Sequence, residues 1–137
     1  MTAEASGPKA PPRQLDVMIC DDNIMLLEVL REVVESEPDM TVVATAQNAE
    51  EAIRLAGRHT PDLAVLDVRF PGGGPYAARE IARRSPRTGI LAFSAHGDSG
   101  AVGEMRHAGV TEYLVKGATN REFLTALRRL GGRLPKS

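Results

Sequence analysis

Short apolar runs alternate with longer segments of helical periodicity along most of this sequence, and this alternation restricts the possible folds more than any other feature. Five runs occur, at residues 15–20, 40–46, 63–66, 89–94 and 112–115. Each run precedes a segment that reads as helical, and apolar side chains recur every three or four residues in most of these segments. Strands and helices in this order form a parallel sheet with right-handed crossovers. The sequence therefore predicts an α/β fold: a doubly wound, five-stranded parallel sheet with helices on both faces.

The third run, LAVL at residues 63–66, is wholly apolar. A strand with one face in water would alternate apolar and polar residues, so this run is expected to lie in the middle of the sheet. In the first helix, expected over residues 23–35, the apolar repeat consists of Ile24, Leu27, Leu30 and Val34.

The remaining helices are predicted from capping residues and helical propensity. Asn48 is expected to cap the second helix, with Glu51 reaching back as in a capping box. The third helix, YAAREIARR, is expected to follow a loop, PGGGP, and to bury Ala77, Ala78 and Ile81. The last helix, REFLTALRRL, is expected to begin after a cap at Asn120.

The fourth helix, over residues 98–108, is expected to be soft. Gly100 and Gly103 fall inside it, and each costs about 1 kcal/mol of helix stability relative to alanine.

The 137 residues fit one domain. Residues 1–14 are rich in proline and poor in large apolar side chains and are expected to form a disordered tail, with the domain over residues 15–131 and a C-terminal tail or linker stub over residues 132–137. The formal net charge is -1, which provides no overall field for nucleic acid or an anionic membrane. A single cysteine, Cys20, excludes an internal disulfide, and the expected compartment is the cytoplasm.

Polar residues stand at the end of four of the five predicted strands: Asp21, Asp22, Asp67, Ser94 and Lys116. The carboxyl ends of parallel strands share one edge of the sheet, where ligands of such folds bind. Three carboxylates that meet there repel one another unless a cation neutralises them, and oxygen ligands suit Mg²⁺. The three histidines lack the spacing of a zinc site. With a lysine and a hydroxyl nearby, the set is suited to transferring a phosphoryl group to a carboxylate.

The motifs ICDDN, LAVLDVRFPGG, ILAFSAH and EYLVKGA, in this order and at these intervals, resemble the response regulator receiver domain of two-component signalling. The resemblance covers residues 15–130 and implies a flavodoxin-like (β/α)5 fold. It identifies the chain as a signalling module rather than an enzyme, one that takes a phosphoryl group from a histidine kinase or a phosphotransfer protein. It resembles most closely those receivers that precede a helix-turn-helix output domain, for which no length remains here, so the chain is either a stand-alone receiver or a fragment of a longer regulator.

The resemblance also implies residue roles. Asp67 would be the phosphoacceptor, assisted by Lys116 and by the hydroxyl of Ser94. Asp22, Asp67 and the backbone carbonyl of Arg69 would bind Mg²⁺, with Asp21 acting mostly through a bound water.

Ser94 and Tyr113 would form the switch. The 98–108 helix, the fifth strand and the last helix would carry the signal to a downstream protein or a second copy of the chain through the face formed by residues 98–130. Direct binding of nucleic acid or membrane by this chain is not expected.

Two other functions share part of this chemistry. A phosphatase of the haloacid dehalogenase type also uses an aspartate and Mg²⁺, but it requires an acid two residues after the nucleophile, where Arg69 stands. A flavin-binding flavodoxin-like domain requires a phosphate loop after the first strand, where Asp21 and Asp22 would repel the ligand.

Overall fold

The predicted sheet is present in the computed structural model, which describes residues 14–95 and 98–132. The five strands are β1 (Leu15–Cys20), β2 (Met40–Ala46), β3 (Leu63–Asp67), β4 (Gly89–Ser94) and β5 (Glu112–Val115). All neighbouring strands are parallel, in the order β2-β1-β3-β4-β5. The strand order reverses between β1 and β3, as expected for a doubly wound sheet.

Five helices connect and follow the strands: α1 (Ile24–Glu35), α2 (Ala49–His59), α3 (Gly74–Arg84), α4 (Ser99–His107) and α5 (Asn120–Leu130). Of the predicted tails at residues 1–14 and 132–137, residues 1–13 and 133–137 lie outside the described residues, as does His96. Within the described part of the chain, no helix is long and apolar enough to cross a membrane.

The core has two layers, one on each face of the sheet. Met18, Cys20 and Leu66 point into the layer that α2, α3 and α4 cover. Ile19 and Val65, their neighbours along the strands, point into the layer under α1 and α5. Every residue of β3 is buried, so the prediction that this strand lies mid-sheet is confirmed.

The predicted caps are correct for one helix and wrong for another. Asn48 accepts a hydrogen bond from the Glu51 N–H at 2.9 Å, as predicted, but the Glu51 carboxylate accepts from the Gln47 N–H rather than from that of Asn48. At α5 the capping residue is Thr119, and Asn120 is the first helical residue. Thr119 has the extended backbone that directs its hydroxyl at the Glu122 N–H, and Glu122 completes a capping box.

Helix α3 begins at Gly74, two residues before the predicted start. Pro75 fits this first turn because no helical hydrogen bond needs its missing N–H. A Cβ at position 74 would lie 2.4 Å from the carbonyl oxygen of Val68, so only glycine lets the helix pack against the end of β3. Ala77, Ala78 and Ile81 are buried, as predicted.

Not every residue of the apolar repeat in α1 is buried. Leu27, Leu30 and Val34 are in the core, whereas Ile24 is 58% exposed. Ile24 occupies the first position of the helix, one turn before the first buried residue, Leu27.

Candidate functional site

The polar residues predicted from the strand ends meet at one edge of the sheet. The register pairs Cys20 with Leu66, Asp67 with Phe93, and Ser94 with Val115. β1, β3, β4 and β5 therefore end level with one another. This places Asp21 and Asp22, which follow β1, beside Asp67 at the end of β3, and brings in Lys116, which follows β5.

The three aspartates form a close acidic cluster in which one carboxylate oxygen of each lies within 4.8 Å of the others. Asp21 and Asp67 are buried, whereas Asp22 is exposed. Two backbone N–H groups fix the buried carboxylates: that of Asn23 donates to Asp21 Oδ1 at 2.9 Å, and that of Arg69 donates to Asp67 Oδ1 at 3.1 Å. The carboxylates are thus held in place by the turns that follow their strands.

Lys116 connects two of these carboxylates. Its Nζ lies 3.0 Å from Asp21 Oδ2 and 3.3 Å from Asp67 Oδ1. The contact with Asp67 was expected from the sequence and the contact with Asp21 was not. Burial acts to lower the pKa of the Lys116 ammonium, but its contact with Asp21 and the charges of both carboxylates outweigh burial and raise it. Lys116 is therefore held in its charged form.

One ammonium does not balance three carboxylates. Burial raises the pKa of Asp67, the hydrogen bond from the Arg69 N–H opposes this, and the charge of Asp21 raises the pKa further. Asp21 Oδ2 is buried and in ionic contact with Lys116, yet among the described residues no donor reaches it with hydrogen-bond geometry. A buried oxygen without a hydrogen bond, in a cluster of hard oxygen ligands with excess negative charge, fits a divalent cation such as Mg²⁺.

Ser94 is buried at the end of β4, beside the acidic cluster. Its backbone carbonyl accepts a hydrogen bond from the Lys116 N–H at 2.7 Å, which ties the ends of β4 and β5 together. A cavity of about 370 Å³ lies between Ser94, Val115 and helix α4, with Val102 and Arg106 on its helix side. Space next to the serine therefore continues toward α4.

Tyr113 lies on β5 and is half-buried. Its hydroxyl donates a hydrogen bond to the backbone carbonyl of Val110. The guanidinium of Arg106, on α4, lies 5.7 Å from the centre of the Tyr113 ring, at a distance typical of a cation–π contact. The sequence did not point to Arg106, because this contact joins a helix to a strand and leaves no local pattern.

The side chain of Arg69 reaches from the loop after β3 to Asp98, the residue before α4. Its guanidinium makes two parallel hydrogen bonds to the carboxylate of Asp98, at 2.9 and 2.7 Å, and so connects the β3–α3 loop to the start of α4. The paired hydrogen bonds raise the pKa of Arg69 and lower that of Asp98. Asp98 was not among the predicted site residues. Its position before a helix favours a capping role, and nothing in the sequence indicates a partner 29 residues away.

Comparison with known proteins agrees with this geometry. The family model of the response regulator receiver domain matches residues 17–128. The response regulator UvrY of Escherichia coli is 29% identical over 83% of this chain and 53% of its own length. The transcriptional regulatory protein DegU of Brevibacillus brevis is 29% identical over 75% of this chain and 44% of its own length. The chain thus spans about half the length of these curated relatives.

Solved structures give the same result. A two-component response regulator of the LuxR family from Aurantimonas is 34% identical, with a TM-score of 0.79 over 88% of this chain and 87% of that one. The signal receiver domain of NarL from Mycobacterium tuberculosis is 27% identical, with a TM-score of 0.82 over 88% of this chain and 98% of that one. Neither the phosphatase nor the flavin-binding alternative is supported by these relatives.

The family match, the fold and the meeting of the three aspartates with Lys116 lead to one conclusion. The chain belongs to the response regulator receiver domain family, the phosphoryl-accepting switches of two-component signalling.

Proposed function

We propose that this chain accepts a phosphoryl group on the carboxylate of Asp67. The observation that supports this most strongly is the contact of the Lys116 ammonium with Asp21 and Asp67, at 3.0 and 3.3 Å, at an edge of the sheet that also holds Asp22. A carboxylate placed between a fixed cation and a cation-binding pair of acids is prepared to become an acyl phosphate, because the charge of the product is neutralised in advance.

The carboxylates of Asp22 and Asp67 and the backbone carbonyl of Arg69 would hold Mg²⁺, with Asp21 acting mostly through a bound water. When bound, the ion supplies positive charge for the oxygens of the transferred group.

The donor is a phosphohistidine of a sensor histidine kinase or a phosphotransfer protein. An oxygen of Asp67 attacks phosphorus and forms the new O–P bond while the P–N bond to the imidazole breaks and its electron pair returns to the ring nitrogen. Lys116 neutralises one phosphoryl oxygen and Ser94 donates its hydroxyl to another. Catalysis by these residues consists of positioning and charge. The chain modifies itself once per signal, so we place it among signalling modules rather than enzymes.

An exposed apolar patch beside the site gives the donor protein a surface to bind. Ile24, Met25 and Val29 on α1 are 58%, 80% and 53% exposed, and α1 begins directly after the acidic pair that follows β1. A cavity of about 480 Å³ continues from Val29 to Leu124 on α5. Exposed apolar side chains grouped next to a reactive carboxylate are typical of a protein contact surface.

The output passes through the face formed by residues 98–130. A phosphoryl group brings about -1.5 to -2 charges and three acceptor oxygens, which draw the Ser94 hydroxyl toward it. Tyr113 then leaves its contact with Val110 and turns toward the space beside Ser94. The face of residues 98–130 changes as a result, and a second copy of the chain or a downstream protein reads the change. We expect no direct contact of this chain with nucleic acid or membrane, and the cytoplasmic location stays a prediction.

Incubation of the chain with acetyl phosphate and Mg²⁺, followed by intact-mass measurement, tests the proposal. We expect the wild type to gain the mass of one phosphoryl group and to lose this gain when a chelator replaces Mg²⁺. Asp67→Asn should gain none, whereas Asp16→Asn, at the opposite edge of the sheet, should behave as the wild type. A phosphoryl group on Asp67→Asn would contradict the assignment.

A further inference from the structure

Among the described residues, four helices are preceded by a residue with a capping side chain. Helix α4 is the only one of these four in which the cap is not formed. Asn23, Asn48 and Thr119 each have an extended backbone and accept a hydrogen bond from the first turn of their helix. Asp98 occupies the same position before α4, and aspartate is among the strongest capping residues. Its side chain makes no capping hydrogen bond, and its backbone, at φ -91° and ψ 52°, lies outside the extended region.

The carboxylate of Asp98 is instead bound to Arg69. Both of its oxygens accept hydrogen bonds from the guanidinium, and the side chain is only 7% exposed. The carbonyl of Asp98 already accepts the first helical hydrogen bond, from the Val102 N–H at 3.1 Å. The residue is therefore in the capping position, and the pairing with Arg69 keeps its side chain away from the N–H groups of Gly100 and Ala101 that a cap would use.

Arg69 is in turn close to the carboxylate proposed to be phosphorylated. It follows Asp67 by two residues, its N–H donates to that carboxylate, and the charge of Asp67 already raises the pKa of the guanidinium. Its side chain is 74% exposed, so nothing packed around it opposes rotation. A phosphoryl group offers three oxygens and about two negative charges, against the single charge of Asp98, to a side chain that binds phosphate in a bidentate manner.

We propose that Arg69 and Asp98 form a capping switch that phosphorylation of Asp67 operates. At rest Arg69 holds Asp98 away from α4, and the first turn of the helix is uncapped. After phosphorylation Arg69 turns to the phosphoryl oxygens, and the released Asp98 carboxylate caps α4. The switch rests on the proposed function, and it assigns Asp98 as a positioning residue that links the modified site to the helix of the output face.

The composition of α4 makes it responsive to such a cap. Gly100 and Gly103 lie in its first turns with open space around them, so these two positions add neither side-chain packing nor helix propensity to this end. A cap formed at this end changes the local opening equilibrium roughly 3- to 10-fold. The helix can therefore order at its start without any rearrangement of the sheet.

Amide exchange of Gly100 and Ala101, followed by NMR, tests the switch, with intact mass recorded on the same samples. In the unphosphorylated state we expect Arg69→Met to slow exchange at both amides roughly 3- to 10-fold, because Asp98 is free to cap. In Asp98→Asn, exchange at both amides should also be slow in the unphosphorylated state. Asparagine can cap the helix, but it does not bind Arg69 through two charged oxygens. Asp98→Ala should exchange quickly in both states. Arg83→Met removes a comparable two-bond pair with Glu80 on α3 and should leave both amides unchanged.

Phosphorylation of the wild type with acetyl phosphate and Mg²⁺ should slow exchange at Gly100 and Ala101 to the level of unphosphorylated Arg69→Met. A chain that gains a phosphoryl group while these amides exchange as at rest would overturn the switch and leave the proposed function standing. The switch would also be overturned if these amides exchanged as fast in unphosphorylated Arg69→Met as in the unphosphorylated wild type. A chain that gains no phosphoryl group would overturn the proposed function and the switch with it.

Discussion

At the scale of single residues, the site places more negative charge at the end of β3 than the fold can neutralise. Burial and the charge of Asp21 raise the pKa of Asp67 even though Lys116 lies 3.3 Å away, so the ionised carboxylate is less favourable in the folded than in the unfolded chain. The residue that costs this stability is the one proposed to accept the phosphoryl group.

Replacing Asp67 by asparagine should therefore stabilise the metal-free chain. We expect the free energy of unfolding to rise at neutral pH, because the variant carries no charge that burial and Asp21 disfavour, and urea denaturation measures the change. Mg²⁺ at about 100 times its dissociation constant should stabilise the wild type by about 2.7 kcal/mol and the variant by much less. Asp16→Asn should change either quantity by less than about 0.5 kcal/mol. A variant less stable than the wild type without Mg²⁺ would contradict this account of the charges.

Replacing each of two glycines by alanine should change the stability of the chain in opposite directions. Gly74→Ala brings a Cβ to 2.4 Å from the Val68 carbonyl oxygen, so the start of α3 must move and the chain should lose about 1–3 kcal/mol of stability. Gly103→Ala meets nothing within 4 Å inside α4 and should gain up to about 1 kcal/mol. Thermal unfolding of the two variants measures both changes in stability. Equal effects would show that the close approach of α3 to β3 does not hold in solution.

At the scale of elements, the strands and their end residues could be predicted because the periodicity of each run depends only on local sequence. Parallel pairing then forces the ends of β1, β3, β4 and β5 to one edge, so Asp21, Asp67 and Lys116 had to meet there. The cap at Thr119 and the pairing of Arg69 with Asp98 were missed. Both depend on backbone angles and side-chain directions that three-dimensional packing decides. Thr119 and Asn120 are both capping residues, and asparagine is the stronger of the two, so the sequence alone favours the wrong one.

Helix α1 should bind the phosphodonor through its exposed apolar side chains. A charge at the centre of this patch, as in Met25→Glu, should slow transfer from a purified histidine kinase that phosphorylates the wild type at least 10-fold, because the patch must lose its water on contact. Modification by acetyl phosphate should stay unchanged, since α1 provides no group to the chemistry. Tyr76→Glu, an exposed side chain on α3, serves as the matched control. Unchanged transfer to Met25→Glu would place the donor on another surface.

At the scale of the whole molecule, we propose that receiving and transmitting the signal fall to different elements around the site. The acidic cluster would receive the phosphoryl group from a donor bound on α1, and α4, β5 and α5 would present the changed face. Lys116 lies between them: its Nζ contacts the cluster while its N–H holds the end of β5 to Ser94. This arrangement predicts that modification and output can be separated by changing one side chain.

Sedimentation velocity should show this separation. We expect phosphorylation to shift the wild type toward a dimer through the face of residues 98–130, and Lys116→Ala to remain monomeric at an equal degree of phosphorylation, matched by intact mass. A wild type that stays monomeric in both states would exclude a second copy as the partner that reads this face. A phosphorylated Lys116→Ala that dimerises would remove Lys116 from the coupling.

The central claim is that one carboxylate, that of Asp67, receives the phosphoryl group. Borohydride reduces an acyl phosphate of aspartate to homoserine, and fragmentation of the resulting peptides by mass spectrometry locates the altered residue. After treatment with acetyl phosphate and Mg²⁺ we expect homoserine at position 67, in an amount that matches the phosphoryl gain of the intact chain. Homoserine at position 21 or 22, or a phosphoryl gain that yields none, would contradict the account.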